Sequence, residues 1–245
     1  MDPNNGLRVS TDKYIHANSL YASLIGSLNY CAVATRPNIS YATNRCAQYA
    51  SNPNIIHWEA AKRIVRYLLD TKEYGIMYHR YGEGVRGFAH GLAGYADADF
   101  AGDRDDRKST TGWLFTFNGA PISWASKKQS TVSRSSMESE LVAGSFATAE
   151  GIWLIRLARD FRHNFTPIPL FTDNQSAIAF SNNEAANNRT KHIDTHFHYT
   201  KEQMNLGNIS LRYIPTLDNP ADILTKPLGP RKHLHNLELL GMRRA

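Results

Sequence analysis

The first ninety residues place their hydrophobic side chains at helical spacing. From Ser19, the positions Leu20, Leu24, Ile25 and Leu28 recur every three or four residues, and the polar stretch 1–13 before them reads as loose chain. Pro37 stands where the first turn of a second helix is expected, with Ile39, Ala42 and Cys46 along one side. Asn52 and Pro53 end it. A third helix is predicted over 56–70, because Trp58, Ala61, Val65 and Leu68 share a face, while Lys62, Arg63 and Arg66 cluster on the remainder. That basic surface is either solvated or a track for phosphates. Gly75 to Tyr81 then reads as a strand, and the Gly-Glu-Gly at 82–84 as a turn.

Beyond residue 90 the pattern changes to short apolar runs separated by long helices. GYADADFAGD (94–103) is an apolar run that ends on two acids, Asp97 and Asp99. Gly112–Phe117 and Ile122–Ser126 are two more strands joined by Asn118-Gly119, the strongest short hairpin signal, so three antiparallel strands are expected in sequence. A long helix follows from Ser136 to about Asp160. Its start, Ser135-x-x-Glu138, has the form of a capping box. Glu138 thereby has a structural task, whereas Glu140 lies on the small-residue side of Ala143, Gly144 and Ala147 that suits packing on a sheet. A fourth strand, Pro169–Thr172, closes on Asp173. A helix over 191–207 with a glycine stop and a fifth strand, Ile209–Ile214, come next, and a last helix opens at Asn219-Pro220-Ala221-Asp222. Trp124 and Trp153 are expected in the core.

Each acid has an ordinary explanation: a solvated strand end for Asp97, an exposed helix acid for Glu140, a helix cap for Asp173, and a favourable dipole position for Asp222. Together they bring four hard oxygen ligands from separate elements. Such a set suits a pair of divalent cations roughly 3.5–4 Å apart; without cations, four carboxylates at one point repel one another.

Composition adds limits. The 245 residues allow one large domain or two modest ones, and 42% hydrophobic content is enough for a core. No run along the sequence has the character of a membrane span, and the opening residues carry no secretion pattern, so neither a membrane partner nor export is expected. The two cysteines, Cys31 and Cys46, fall in helical patterns rather than a disulfide framework. A formal charge of +6 favours a polyanionic partner. Among the basic residues, Lys127, Lys128, Arg134 and Lys191 are candidate phosphate contacts. His192, His196 and His198 have no fitting cysteine or carboxylate partners for zinc, and His192 with Asp194 is expected to brace its helix.

Several blocks resemble the C-terminal part of copia-type LTR-retrotransposon polyproteins, which ends in a ribonuclease H domain. They are YADADFAGDRDDRKSTTGWLF (95–115), ISWASKKQSTVSRSSMESEL (122–141), FTDNQSAI (171–178), RTKHIDTHFH (189–198) and YIPTLDNPADILTK (213–226). Upstream, YASLIGSLNY (21–30), ATRPNISYATNR (34–45) and HWEAAKRIVRYL (57–68) are similar to the tail of the same family's reverse transcriptase. The resemblance implies an α/β chain. A small, mainly helical, thumb- or connection-like segment (1–90) would precede a ribonuclease H-like domain (91–245), a mixed five-stranded sheet flanked by helices with its first three strands antiparallel.

It also implies Mg²⁺-dependent endonucleolytic hydrolysis of RNA paired to DNA by a two-metal-ion mechanism, with Mn²⁺ as an alternative ion. The four metal-binding acids of the family fall on Asp97, Glu140, Asp173 and Asp222, and the preference for Asp97 over Asp99 comes from the family pattern alone. Asp97 and Asp173 would be shared ligands, Glu140 would also meet a 2′-hydroxyl, and Asp222 would be a weaker ligand. The implied partners are an RNA·DNA hybrid and the rest of the reverse transcriptase and integrase polyprotein, in a cytoplasmic virus-like particle or the nucleus. Three departures stand out: no Tyr-x-Asp-Asp polymerase motif, no histidine between Pro215 and Asn219, and Phe100 in place of the usual tryptophan. The competing reading is a catalytically silent nucleic-acid-binding module derived from a retroelement.

Overall fold

A computed structural model describes residues 11–78, 91–182 and 191–244. The chain divides into two compact units, Met1–Lys72 and Glu73–Ala245. In the first, α1 (Thr11–Ala34), a 3₁₀ turn (Pro37–Ile39), α2 (Ser40–Ala47) and α3 (Ile55–Asp70) follow one another. They bury Tyr21, Ile25, Leu28, Ala32, Ile39, Cys46, Ala61 and Ile64 together.

Two polar devices fix this small unit. Asn54 caps α3 by accepting from the amides of Ile56 and His57, and His57 Nδ1 accepts the Asn54 amide in return, a capping box with histidine in the place of glutamate. Buried Arg36 donates to the Thr71 carbonyl at 3.1 Å and to Thr71 Oγ1 at 2.5 Å, tying the end of α3 to the α1–α2 turn. The basic surface of α3 is partly neutralised: Lys62 and Arg66 lie 2.6 and 3.5 Å from Glu59. Arg63 is exposed.

The division falls at 72/73, not at the expected 90/91. The cause is β1 (Tyr74–Ile76), which pairs antiparallel with β7 (Met242–Arg244) and so belongs to the second unit. The remainder of the strand predicted there, and the turn at 82–84, lie outside the described residues.

The main sheet has the expected form. β2 (Leu92–Asp99), β3 (Thr110–Phe117) and β4 (Ala120–Lys128) are antiparallel, and β5 (Ile168–Thr172) and β6 (Ile209–Tyr213) continue it in parallel, giving the order β4-β3-β2-β5-β6. Asn118 and Gly119 both have positive φ, 48° and 79°, as a two-residue type I′ hairpin requires.

α4 (Ser136–Asp160) covers one face, burying Ala147, Leu154 and Ile155 against Phe115, Ile168, Leu170 and Ile209. On the other face, a 3₁₀ segment (Pro220–Leu224) and α7 (Pro230–Leu239) place Ile223, Leu224 and Leu237 on Tyr95 and Leu114. β2 is therefore covered on both sides, which accounts for an unbroken buried run from Leu92 to Ala98. α5 (Gln175–Asn182) and α6 (Lys191–Asn205) complete the unit, and His196 Nδ1 on α6 meets Ser145 Oγ on α4 at 2.9 Å.

Three expectations need correction. The last predicted helix is only a five-residue 3₁₀ turn, because Lys226 precedes Pro227, which disfavours helical backbone; the helix proper, α7, begins at Pro230 and had no predicted counterpart. Trp153 is 54% exposed rather than core, since α4 turns Gly151, Leu154 and Ile155 to the sheet and carries Trp153 on the side away from it. α4 is also long and apolar enough to cross a membrane, although no such run had been read from the sequence; here its apolar face packs on the sheet.

Candidate active site

The end of β2, the head of α4 and the end of β5 meet where the two central strands finish. There, carboxylate oxygens of Asp97, Glu140 and Asp173 all lie within 4.8 Å of one another. Asp97 is the β2 acid in this cluster, and Asp99 sits half-buried two residues further along the strand.

Each acid is held by its own neighbours. Asp97 is 1% exposed, and its Oδ2 accepts from the Thr225 hydroxyl. Glu140 is aimed by the start of α4: Ser135 Oγ accepts the Glu138 amide at 3.2 Å, while Glu138 accepts the Arg134 amide at 2.7 Å, one residue further back than a capping box needs. Buried Gln129 adds a second clamp, donating to the Ser139 carbonyl at 3.0 Å and to Thr111 Oγ1 at 2.9 Å. Asp173 accepts from Thr216 Oγ1 at 2.7 Å and caps nothing in the hydrogen bonds described.

Asp222 stands beside the trio rather than in it. Fully buried, it pairs with Lys226 at 2.7 Å and with Lys232, and the same Lys226 ammonium reaches Asp97 at 3.4 Å. Asn219 makes this approach possible: its side chain accepts the Ala221 amide and donates to the Ala96 carbonyl at 3.0 Å, stitching the 3₁₀ turn to β2. Gly112, opposite Asp97 on β3, leaves the space, since a Cβ there would lie 2.6 Å from Thr225 Cγ2 and 2.8 Å from Leu224 Cβ.

Burial is the main force on the charges. It pushes Asp97 up to about 7, with Asp222 and Asp173 adding to the rise and Lys226 opposing it. Glu140 is raised well above the ordinary carboxylate range, again by burial first and then by Asp97 and Asp173. Burial works to lower Lys226, but Asp97 and Asp222 together outweigh it and the ammonium is held more firmly than usual. Glu140 Oε2 is buried with no hydrogen-bond partner. An orphaned carboxylate oxygen among three hard oxygen donors fits a divalent cation: at Mg–O distances of about 2.1 Å, opposite ligands stand about 4.2 Å apart.

The chain is 40% identical over 222 residues, 91% of its length, to the retrovirus-related Pol polyprotein from transposon TNT 1-94 of Nicotiana tabacum. It is 39% identical over 210 residues to that from transposon RE1 of Arabidopsis thaliana. It belongs to the copia-type retrotransposon Pol polyprotein family. The match covers 16% and 14% of those polyproteins, so the chain corresponds to a minor part of their length.

A shorter relative, the secreted RxLR effector protein 161 of Plasmopara viticola, is 46% identical over 137 residues, 92% of that protein and 56% of this chain. No family model matches. Among solved structures, ribonuclease H1 of Halobacterium salinarum aligns at 18% identity over 55% of this chain and 93% of its own, with a TM-score of 0.37. The N-terminal ribonuclease H domain of a Mycobacterium tuberculosis protein aligns at 10% identity over 56% and 91%, with a TM-score of 0.43. The ribonuclease H-like fold of the second unit rests on its own strand order and directions.

For this copia-type Pol segment the basic residues separate into different kinds. Lys128 is committed to Asp103 at 2.5 Å and Asp106 at 3.0 Å, which removes it from the set of free phosphate contacts. Lys127 lies over the Phe146 ring at 5.1 Å and is exposed, as is Arg134. Lys191 opens α6, and its side chain, like those of His192 and Asp194, lies outside the described residues. Sequence reasoning missed Thr216, Thr225, Lys226, Lys232 and Gln129. The one available signal was Gly112, because a glycine inside an apolar strand marks a close approach by another piece of backbone.

Proposed function

We propose that the chain hydrolyses the RNA strand of RNA·DNA hybrids, as the ribonuclease H portion of a retrotransposon reverse transcriptase. The observation that carries this is the convergence of Asp97, Glu140 and Asp173 within 4.8 Å, with Glu140 Oε2 buried and unpartnered. Asp97, Glu140 and Asp173 would hold the metal, Mg²⁺ or Mn²⁺. A pair of such ions, when bound, lowers the pKa of an attacking water and neutralises the charge of a leaving 3′ oxygen.

The chain's own residues do the rest. The Thr225 hydroxyl on Asp97 and the Thr216 hydroxyl on Asp173 fix which oxygens face the centre. Thr216 lies in the stretch before the 3₁₀ turn that carries no histidine. Exposed Lys127 and Arg134, at the end of β4 and just before α4, can meet phosphates on the side from which α4 delivers Glu140. The hybrid is distinguished from duplex DNA by its 2′-hydroxyls and groove shape rather than by sequence. No polymerase activity is proposed for this chain alone.

The test uses a labelled RNA·DNA hybrid with Mg²⁺ or EDTA, beside Asp173→Asn. Cuts confined to the RNA strand, dependent on Mg²⁺ and lost in the variant, are expected. Tight binding of the hybrid without any cleavage would instead leave a silent binding module.

A further inference from the structure

Two lysines occupy one side of the acidic centre. Lys226 Nζ lies 2.7 Å from Asp222 Oδ1 and 3.4 Å from Asp97 Oδ2, and Lys232 Nζ takes the other oxygen of Asp222. Asp222 is 0% exposed, so its charge is balanced by these ammonium groups and not by solvent. The opposite side is balanced less: Glu140 Oε2 is buried without a hydrogen-bond partner, Lys226 acts on Glu140 only as the weakest of the influences on it, and no lysine or arginine forms an ion pair with Glu140 or Asp173 among the described residues. Charge compensation in the centre is therefore lopsided.

Resting on the metal-centre reading above, we infer that Lys226 is a resident cation standing in for one divalent ion at the Asp97–Asp222 side. The first ion would be held by Asp97, Glu140 and Asp173, where no ammonium is paired with Glu140 or Asp173 among the described residues and Lys226 stands 3.4 Å from Asp97. A second ion between Asp97 and Asp222 must displace the Lys226 ammonium, so the two ions bind with unequal affinity. Lys226 is well suited to this exchange because its side chain is 28% exposed, leaving the ammonium a short way out to water, while a long flexible stem lets it move without moving the 3₁₀ turn. Without metal, the same ammonium offsets repulsion between two buried carboxylates and keeps the turn seated on β2.

The test titrates Mn²⁺ into the full chain and into Lys226→Met and Lys226→Arg by calorimetry, with thermal melts in EDTA. The unaltered chain should bind two ions in separate steps. Lys226→Met should tighten the second step on the order of tenfold and lower the metal-free melting temperature, with Lys226→Arg restoring both. A second-step affinity unchanged within about twofold in Lys226→Met overturns the inference and leaves the metal centre standing, whereas no Mn²⁺ bound by the unaltered chain overturns both.

A readout on the unaltered chain guards against a variant that fails to fold. Reductive methylation of Lys226, followed by peptide mass spectrometry, should accelerate on the order of tenfold when Mg²⁺ rises from a first-site to a two-site concentration, because the freed ammonium loses its two carboxylate partners. An unchanged rate is the overturning result.

Discussion

Two glycines in the second unit should respond to the same substitution with opposite sign. Gly112 faces the 3₁₀ turn; an alanine methyl there would lie 2.6 Å from Thr225 Cγ2, 2.8 Å from Leu224 Cβ and 3.1 Å from the Ala221 carbonyl oxygen. Ordinary contact begins near 3.4 Å. None of the three neighbours can swing aside, because Ala221, Leu224 and Thr225 are each 0% exposed and two of the atoms are backbone or directly attached to it. Overpacking of this kind costs about 1–3 kcal/mol. Much of it should appear as a shift of the turn away from β2, carrying Thr225 and Asp222 from Asp97, so metal affinity should fall with stability.

Gly144, in the middle of α4, has nothing within 4 Å of its would-be Cβ, and it borders a cavity of about 20 Å³. Gly144→Ala should therefore gain about 1 kcal/mol from helix propensity. Urea unfolding followed by tryptophan fluorescence, with each midpoint compared to the unaltered chain, reads both. A Gly112→Ala midpoint equal to or above the unaltered one, or a destabilised Gly144→Ala, would refute the placement of the turn against β3 and of α4 over open space.

The metal-free chain should be more stable in mild acid than at neutral pH. Asp97 has its folded pKa raised from 3.8 to about 7, so the stability it contributes is complete below about pH 4 and is lost as the pH rises through about 7. In EDTA the melting temperature at pH 5 should exceed that at pH 8, and saturating Mg²⁺ should close the gap; the reverse order would contradict the burial of Asp97. Lys128→Met would remove the ammonium from the buried Asp103 carboxylate, leaving it the Asp105 amide, and should cost on the order of 2 kcal/mol by chemical unfolding, while Lys127→Met, whose ammonium overlies Phe146, should cost well under 1 kcal/mol.

Most of the elements were legible along the chain, because each was written in local chemistry, whereas the candidate acids needed the family pattern beside them, Asp97 over Asp99 by that pattern alone. Period two against period 3.6, the Asn118-Gly119 turn and the Ser135 cap depend on neighbours within a few residues, so strand, hairpin and helix follow wherever they occur. The choice of Glu140 over Glu138 was local too, since one acid was already occupied by the helix start. What lay beyond the sequence was every relation carried by long-range contact. β1 was assigned to the wrong unit because its partner strand lies about 170 residues away, at the other end of the chain. Lys128 read as a free cation until the fold set it on Asp103. Asp222 read as the weaker of four ligands, but the reason for a difference lay in the fold: the turn seated on Gly112, with Lys226 and Lys232 closing over it, gives it different company from Asp97, Glu140 and Asp173. Carboxylates can be counted in a sequence, but their protonation and partners depend on burial and on distances of a few ångströms, and the tertiary structure alone sets those.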